Sequence, residues 1–265
     1  MAFVGTFFDV KNIDDLRQCI NNNRNSRNEN GDTPFIFYCR HNKVDFIREF
    51  IKYSCDFAAM NNRGCHGLGY VCENGNTSLF NELLMHTQIR ATLDIKCMIV
   101  SCKEGHVDIF DIISSLHPEF IHQQDNDGKT PLMITCQYRQ IDILDRLLQH
   151  DIDVNFRDND QNTAMHYTMG TTVNISSDVP INIRTKYQGV FIDKLVLYGA
   201  NINVQNDRLL TPLMYAVLTG RADLVKILLD YRARVNLRHG GGDNELQMCK
   251  YPMIANMLES AGAVY

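Results

Sequence analysis

The sequence predicts an all-α fold, a solenoid of stacked helix-turn-helix units with projecting hairpin loops. The first observation behind this is a recurring phrase. NGDTPFIFYC at 30–39 returns as DGKTPLMITC at 127–136, QNTAMHYTM at 161–169 and LLTPLMYAV at 209–217. Anchored on the Thr of the Thr-Pro pair, the register runs Thr33, His66, Lys96, Thr130, Thr163, Thr211 and Asn244, a period of about 33 residues. The second observation is an apolar stripe 13, 14, 17 and 18 residues after the anchor, a spacing that lies on one helix face. The third is composition: 45% of the 265 residues are hydrophobic, enough to supply a core shared between stacked units.

Each unit opens with a helix at the anchor. Pro fits the first helical position because its missing N–H would be unpaired there, and a preceding Thr can cap the helix. After a short turn comes the helix with the stripe: Phe46, Ile47, Phe50 and Ile51, then Leu79, Phe80, Leu83 and Leu84. The stripe returns as Ile143, Leu144, Leu147 and Leu148, and as Leu224, Val225, Leu228 and Leu229. HDIDVNFRDNDQ (150–161) and YGANINVQNDRL (198–209) then alternate Val or Ile with Asn and Asp before a turn, which predicts an extended, hairpin-like loop. The stretch from Phe7 to Ile20 keeps only Leu16, Cys19 and Ile20 of the stripe and reads as an N-terminal cap. Met253, Ile254, Met257 and Leu258 read as a closing one.

This pattern resembles the ankyrin repeat. The resemblance rests on Thr130 to Leu132 and Thr211 to Leu213 (Thr-Pro-Leu), Gly105-His106, Gly199-Ala200, Val154-Asn155 and Val235-Asn236. It implies an all-α ankyrin-repeat solenoid, a single domain over 1–265. Its parts would be a cap at 1–30, repeats at 31–63, 64–93, 94–127, 128–160, 161–208 and 209–241, and a cap at 242–265.

Four departures stand out. Gly67 and Gly69 fall inside a first helix, each costing up to about 1 kcal/mol against Ala, so that repeat should be soft. The next unit is short and lacks a clear Val-Asn loop around 86–96, which predicts a reduced hairpin. The repeat starting at Thr163 carries an insertion at about 170–189, placed between its two helices, either a second contact site or a tolerated surface loop. Finally, Leu209 and Leu210 occupy a tip where the family pattern has Gly and polar residues; they either anchor a partner or pack on the neighbouring hairpin.

Chemistry finds little footing. Cys39, Cys72, Cys102 and Cys136 each lie six residues after an anchor and form a column of small buried hydrophobes, too far apart along the stack for disulfides. Cys55, Cys65, His66 and Cys72 are the only set resembling a zinc site, but lack a close Cys-x-x-Cys or His-x-x-x-His pair, so no metal is expected. No phosphate loop, nucleophile elbow or zincin motif occurs; neither a cofactor nor an enzyme is expected. Asn155 is a candidate for hydroxylation, since the dioxygenases that act on this family favour Leu147, Asp153 and Val154 in their places; hydrogen bonding within the loop is its alternative role.

A net charge of −5 argues against nucleic acid as partner, and no apolar run approaches the ~18 residues of a membrane span. The start of the chain lacks a basic leader, so a cytoplasmic site is expected, with the nucleus or a host cytosol as variants. The expected function is binding of another protein by a monomer, since the resemblance implies contact through hairpin tips and the exposed ends of first helices. Transferred to this register, the contact residues are Arg40, His41, Arg63, Glu73, Lys103, Glu104, Asp127, Lys129, Gln137, Tyr138, Asp160, Arg208, Leu209 and Leu210. Arg40, Tyr138 and Leu210 are the expected hot spots. The alternatives are an effector of an intracellular microbe or virus acting through the same surface, and a small-ligand or enzyme-associated module with a pocket at Gly67, Gly69 and the insertion.

Overall fold

The computed structural model describes residues 8, 10, 12–53, 55–170 and 181–265, and for 19–23 and 181–187 the backbone alone. Phe7, the side chains of Cys19 and Ile20, and 171–180 of the insertion therefore lie outside the described residues. The described elements are helical, with no strand among them, and fall into two compact units, Met1–Pro118 and Glu119–Tyr265.

In the first unit the cap helix α1 (Ile13–Asn23) starts at Asn12, whose side chain accepts from Asp15 N, and buries Leu16 completely. Then come α2 (Pro34–Arg40) and α3 (Val44–Phe50), α4 (Gly67–Glu73) and α5 (Thr77–Leu84), a four-residue α6 (Thr87–Arg90), and α7 (Ile95–Glu104) with α8 (Val107–Leu116). First helices pack in series, α2 on α4 and α4 on α7. The short α6 stands where the loop pattern is missing, so the hairpin there is indeed reduced.

The second unit holds α9 (Pro131–Tyr138) and α10 (Ile141–Leu147), α11 (Ala164–Thr168) and α12 (Ile181–Leu197), α13 (Pro212–Leu218) and α14 (Ala222–Asp230), and the terminal α15 (Glu245–Met248) and α16 (Pro252–Ser260). Thr33, Thr130 and Thr211 cap α2, α9 and α13, with Pro at the first helical position each time. The stripe positions 14 and 17 after the anchor are fully buried in all four copies: Ile47 and Phe50, Phe80 and Leu83, Leu144 and Leu147, Val225 and Leu228.

Four expectations need correction. The third first helix is capped by Asp94, whose Oδ1 accepts from Cys97 N at 3.2 Å, so its cap stands two residues before the Lys96 anchor. Gly67 is a site of close packing and not of a pocket: a Cβ there would stand 2.5 Å from Phe35 Cε1 and 3.2 Å from Cys39 Sγ, so α2 and α4 meet at this glycine. The C-terminal part of the insertion is not loop, because α12 starts at Ile181. Its Gln188, fully buried, donates to Thr168 O at 2.8 Å and accepts from Arg221 Nη2 at 2.7 Å. In the closing cap Ile254 and Leu258 are buried, whereas Met253 is exposed, at the rim of a shallow groove that it lines with Lys226, Leu229 and Asp230 of α14.

Candidate protein-binding surface

The loops end in one repeated turn. Asn28, Asn61, Asp125, Asp158 and Asn206 each accept, through Oδ1, from the backbone N–H groups two and four residues later. An Asx side chain that mimics a backbone turn holds the tip rigid in this way. The residue three after the Asx has positive φ: Gly31, Gly64 and Gly128 in three tips, Gln161 and Leu209 in the others. Successive tips are joined by one backbone bond, Asn62 N to Asn30 O in the first unit, and Asn159 N to Asp127 O and Asp207 N to Asp160 O in the second.

Behind three of these turns a tyrosine nine residues on closes the arrangement. Asn61 Nδ2 donates to Tyr70 Oη at 2.8 Å and to buried Asp32 at 2.7 Å, the Tyr167 hydroxyl donates to Asp158, and Asn206 Nδ2 donates to Tyr215 Oη at 3.0 Å. Burial and the Asp158 carboxylate hold the Tyr167 hydroxyl far above its ordinary pKa, so it remains a donor. In the second unit the tips and these tyrosines enclose a cleft of about 520 Å³. Asp127, Asp158, Asp160 and Asp207 line it together with Lys129, Arg208, Tyr167 and Tyr215. Lys129 Nζ lies 3.4 Å from Asp127 and 5.5 Å from the Tyr167 ring centre, so it is partly neutralised within the cleft.

Of the contact residues read from sequence, the cleft gathers Asp127, Lys129, Asp160 and Arg208. Gln137 and Tyr138, half-buried on α9, are not among its lining. Arg40, His41, Arg63, Glu73, Lys103 and Glu104 belong to the first unit; Arg40 pairs with Asp32 at 3.1 Å beneath the Tyr70 ring. Leu209 is exposed, but Leu210 is buried and is no exposed tip anchor. Its carbonyl accepts from His166 Nε2 at 3.1 Å, which draws it inward. Asp158, Tyr167, Asn206 and Tyr215 were missed, although the nine-residue Asx-to-Tyr spacing is visible in the chain.

Asn155 has a structural use. Its Nδ2 donates to Gly199 O at 3.0 Å and its Oδ1 accepts from Asn201 N at 2.7 Å, both in the following repeat. Asn203 and Asn236 accept from Arg234 N and Val264 N in the same way. The set that resembled a zinc site in the sequence does not assemble: the one group of metal-ligating side chains that meets among the described residues is His66, Asp94 and Cys97, without Cys55 or Cys65.

Tandem helix pairs joined by Asx-turn tips define a helical repeat solenoid. Residues 97–172 match the family model for ankyrin repeats (3 copies), and 195–249 match that for ankyrin repeats (many copies). The chain is 26% identical over 220 residues, 67% of its length, to an ankyrin repeat protein of Acanthamoeba polyphaga mimivirus, and 29% identical over 204 residues (71%) to another. It is 27% identical over 150 residues (56%) to one from fowlpox virus (strain NVSL). These alignments cover 28%, 32% and 40% of the respective relatives, so the chain spans well under two thirds of their length. Residues 97–172 and 195–249 are thus ankyrin repeats. No described helix is long and apolar enough to cross a membrane.

Proposed function

We propose that this chain is a non-catalytic module that binds another protein, and that the cleft of the second unit takes a segment of that partner. The observation that carries this reading is the cleft itself, with four aspartates against one lysine and one arginine on a rigid frame of capped turns. Such a lining favours an extended segment bearing Lys or Arg, which the carboxylates would pair and Tyr167 and Tyr215 would flank. The array over 1–265 as one domain, the monomeric state and the cytoplasmic site belong to the same proposal.

Affinity capture from cytosolic extract tests it, comparing the wild type with an Asp127→Lys, Asp160→Lys, Asp207→Lys variant whose circular dichroism is unchanged. A protein retained by the wild type and lost by the variant supports the placement. Equal retention by both overturns it. The viral origin of the relatives favours a second reading, a viral protein that engages host proteins through this surface. Capture from host extract, with none from extract of unrelated cells, is its expected signature.

A further inference from the structure

In the first unit, three donors from two consecutive repeats converge at the starts of two first helices, the first of them directly after the Asn61 turn. His66 is the N-cap of α4, Asp94 the N-cap of α7, and Cys97 lies in the first turn of α7. His66 Nε2, an Asp94 carboxylate oxygen and Cys97 Sγ all lie within 4.8 Å of one another, with His66 Nε2 3.4 Å from Asp94 Oδ2.

The imidazole is oriented but unfinished. Its Nδ1 accepts from Gly69 N at 3.2 Å, whereas buried Nε2 makes no well-formed hydrogen bond and has only a long 3.4 Å contact to Asp94 Oδ2. A buried ring nitrogen held this loosely beside a thiol and a carboxylate is under-satisfied, and a bound ion would complete it. The Asp94 carboxylate is divided: Oδ1 caps the helix, while Oδ2 faces the ring.

We infer that His66, Asp94 and Cys97 form a binding site for a divalent transition-metal ion of the zinc type, with a solvent molecule as the fourth ligand. A tetrahedral zinc site has donor atoms roughly 3.3–3.8 Å apart, so from an observed spread of up to 4.8 Å among His66, Asp94 and Cys97 the side chains need to contract by up to about 1.5 Å. Sulfur, imidazole and a single carboxylate select zinc over calcium or magnesium, which take oxygen ligands. On loading, Cys97 releases its proton to solvent, and the ring proton sits on Nδ1 because Nε2 donates its lone pair to the ion. This sacrifices the hydrogen bond from Gly69 N, one helix-cap interaction, against a thiolate and imidazole ligand set of high zinc affinity. Asp94, with 31% of its side chain exposed, is the side from which an ion enters. The ion would lock α4 to α7 at the repeat where the hairpin is replaced by α6. The site is independent of the protein-binding cleft, which lies in the other unit.

The test is a titration of the chelator-stripped, reduced 265-residue chain with Co²⁺, followed by competition with Zn²⁺. One ion per chain is expected, with a near-ultraviolet thiolate-to-cobalt charge-transfer band and the visible bands of tetrahedral cobalt, all removed by Zn²⁺. His66→Asn and Asp94→Asn each keep a cap acceptor and should weaken binding about 10-fold or more. Cys97→Ser should abolish the charge-transfer band, whereas Cys55→Ser and Cys65→Ser should change nothing. Absence of the thiolate band in natively folded protein overturns the site, and so does a band that survives His66→Asn at unchanged affinity. Should Cys97→Ser fail to fold, Asp94→Asn with wild-type circular dichroism decides: weaker binding supports the site, and equal binding overturns it.

Discussion

Leu209 and His166 show how single residues set the local balance of this fold. Leu209 holds φ +55° at the turn position that Gly31, Gly64 and Gly128 fill elsewhere. A Cβ in that left-handed region costs about 1–2 kcal/mol, and the side chain recovers little because it is 46% exposed. Glycine adds unfolded-state entropy that offsets part of the gain. Leu209→Gly should therefore stabilise by about 0.5–1 kcal/mol and raise Tm by about 1–3 °C, measured by thermal unfolding. His166 accepts from Thr163 N at 3.1 Å through Nδ1 and reaches Leu210 O in the next repeat through Nε2. Burial pushes its pKa down to about 4, and a second proton would collide with the Thr163 N–H. The folded pKa lies below the unfolded value of about 6.5, so the unfolded chain binds more protons between them. The His166 contribution is complete above pH ~6.5 and declines as pH falls toward 4, by roughly 3 kcal/mol in all. Urea unfolding of wild type and His166→Gln across this range should show their stability difference narrowing toward pH 4; a constant difference would refute the assignment.

At the scale of the helices, two neighbouring glycines on α4 should respond with opposite sign. Gly67 meets Phe35 and Cys39 at distances a Cβ cannot share, whereas at Gly69 the nearest atoms, on His66, would be 3.8 Å away. Gly69→Ala should stabilise by up to about 1 kcal/mol through helix propensity. Gly67→Ala gains the same propensity but overpacks the contact between α2 and α4, a penalty of about 1–3 kcal/mol, so it should destabilise or at best break even. Chemical denaturation of the two variants checks this, and equal effects would mean that α2 and α4 are not in close contact at Gly67. Sequence alone shows two glycines in a helix and cannot tell them apart, because Phe35 is 32 residues distant. The helices themselves were legible wherever a Thr-Pro anchor or an apolar stripe fixed the register. Asp94 was overlooked because a carboxylate can cap as well as Thr, and nothing in the Thr-Pro phrase marks it. The tips were legible from their Asn and Asp. The burial of Leu210 was not, because it depends on a bond from His166, 44 residues earlier.

At the scale of the whole molecule, charge and shape decide which partners approach. The chain carries a net charge of −5, and the cleft concentrates Asp127, Asp158, Asp160 and Asp207 within one concavity. Low-dielectric walls and a single prevailing sign focus the field outward, which accelerates encounter with a cationic segment and repels an anionic one. Screening acts on this long-range attraction first, since the Debye length shrinks from about 30 Å at 0.01 M to about 8 Å at 0.15 M ionic strength. The rigid Asx turns and the tip-to-tip bonds require little rearrangement, so contacts made after docking should depend less on salt. For a partner recovered through the cleft, the association rate constant should fall roughly tenfold over that range, with the dissociation rate nearly constant. Surface plasmon resonance at several salt concentrations measures both. An association rate indifferent to salt would mean that the aspartates do not select the partner, and one that rises with salt would mean that the partner is acidic and docks elsewhere.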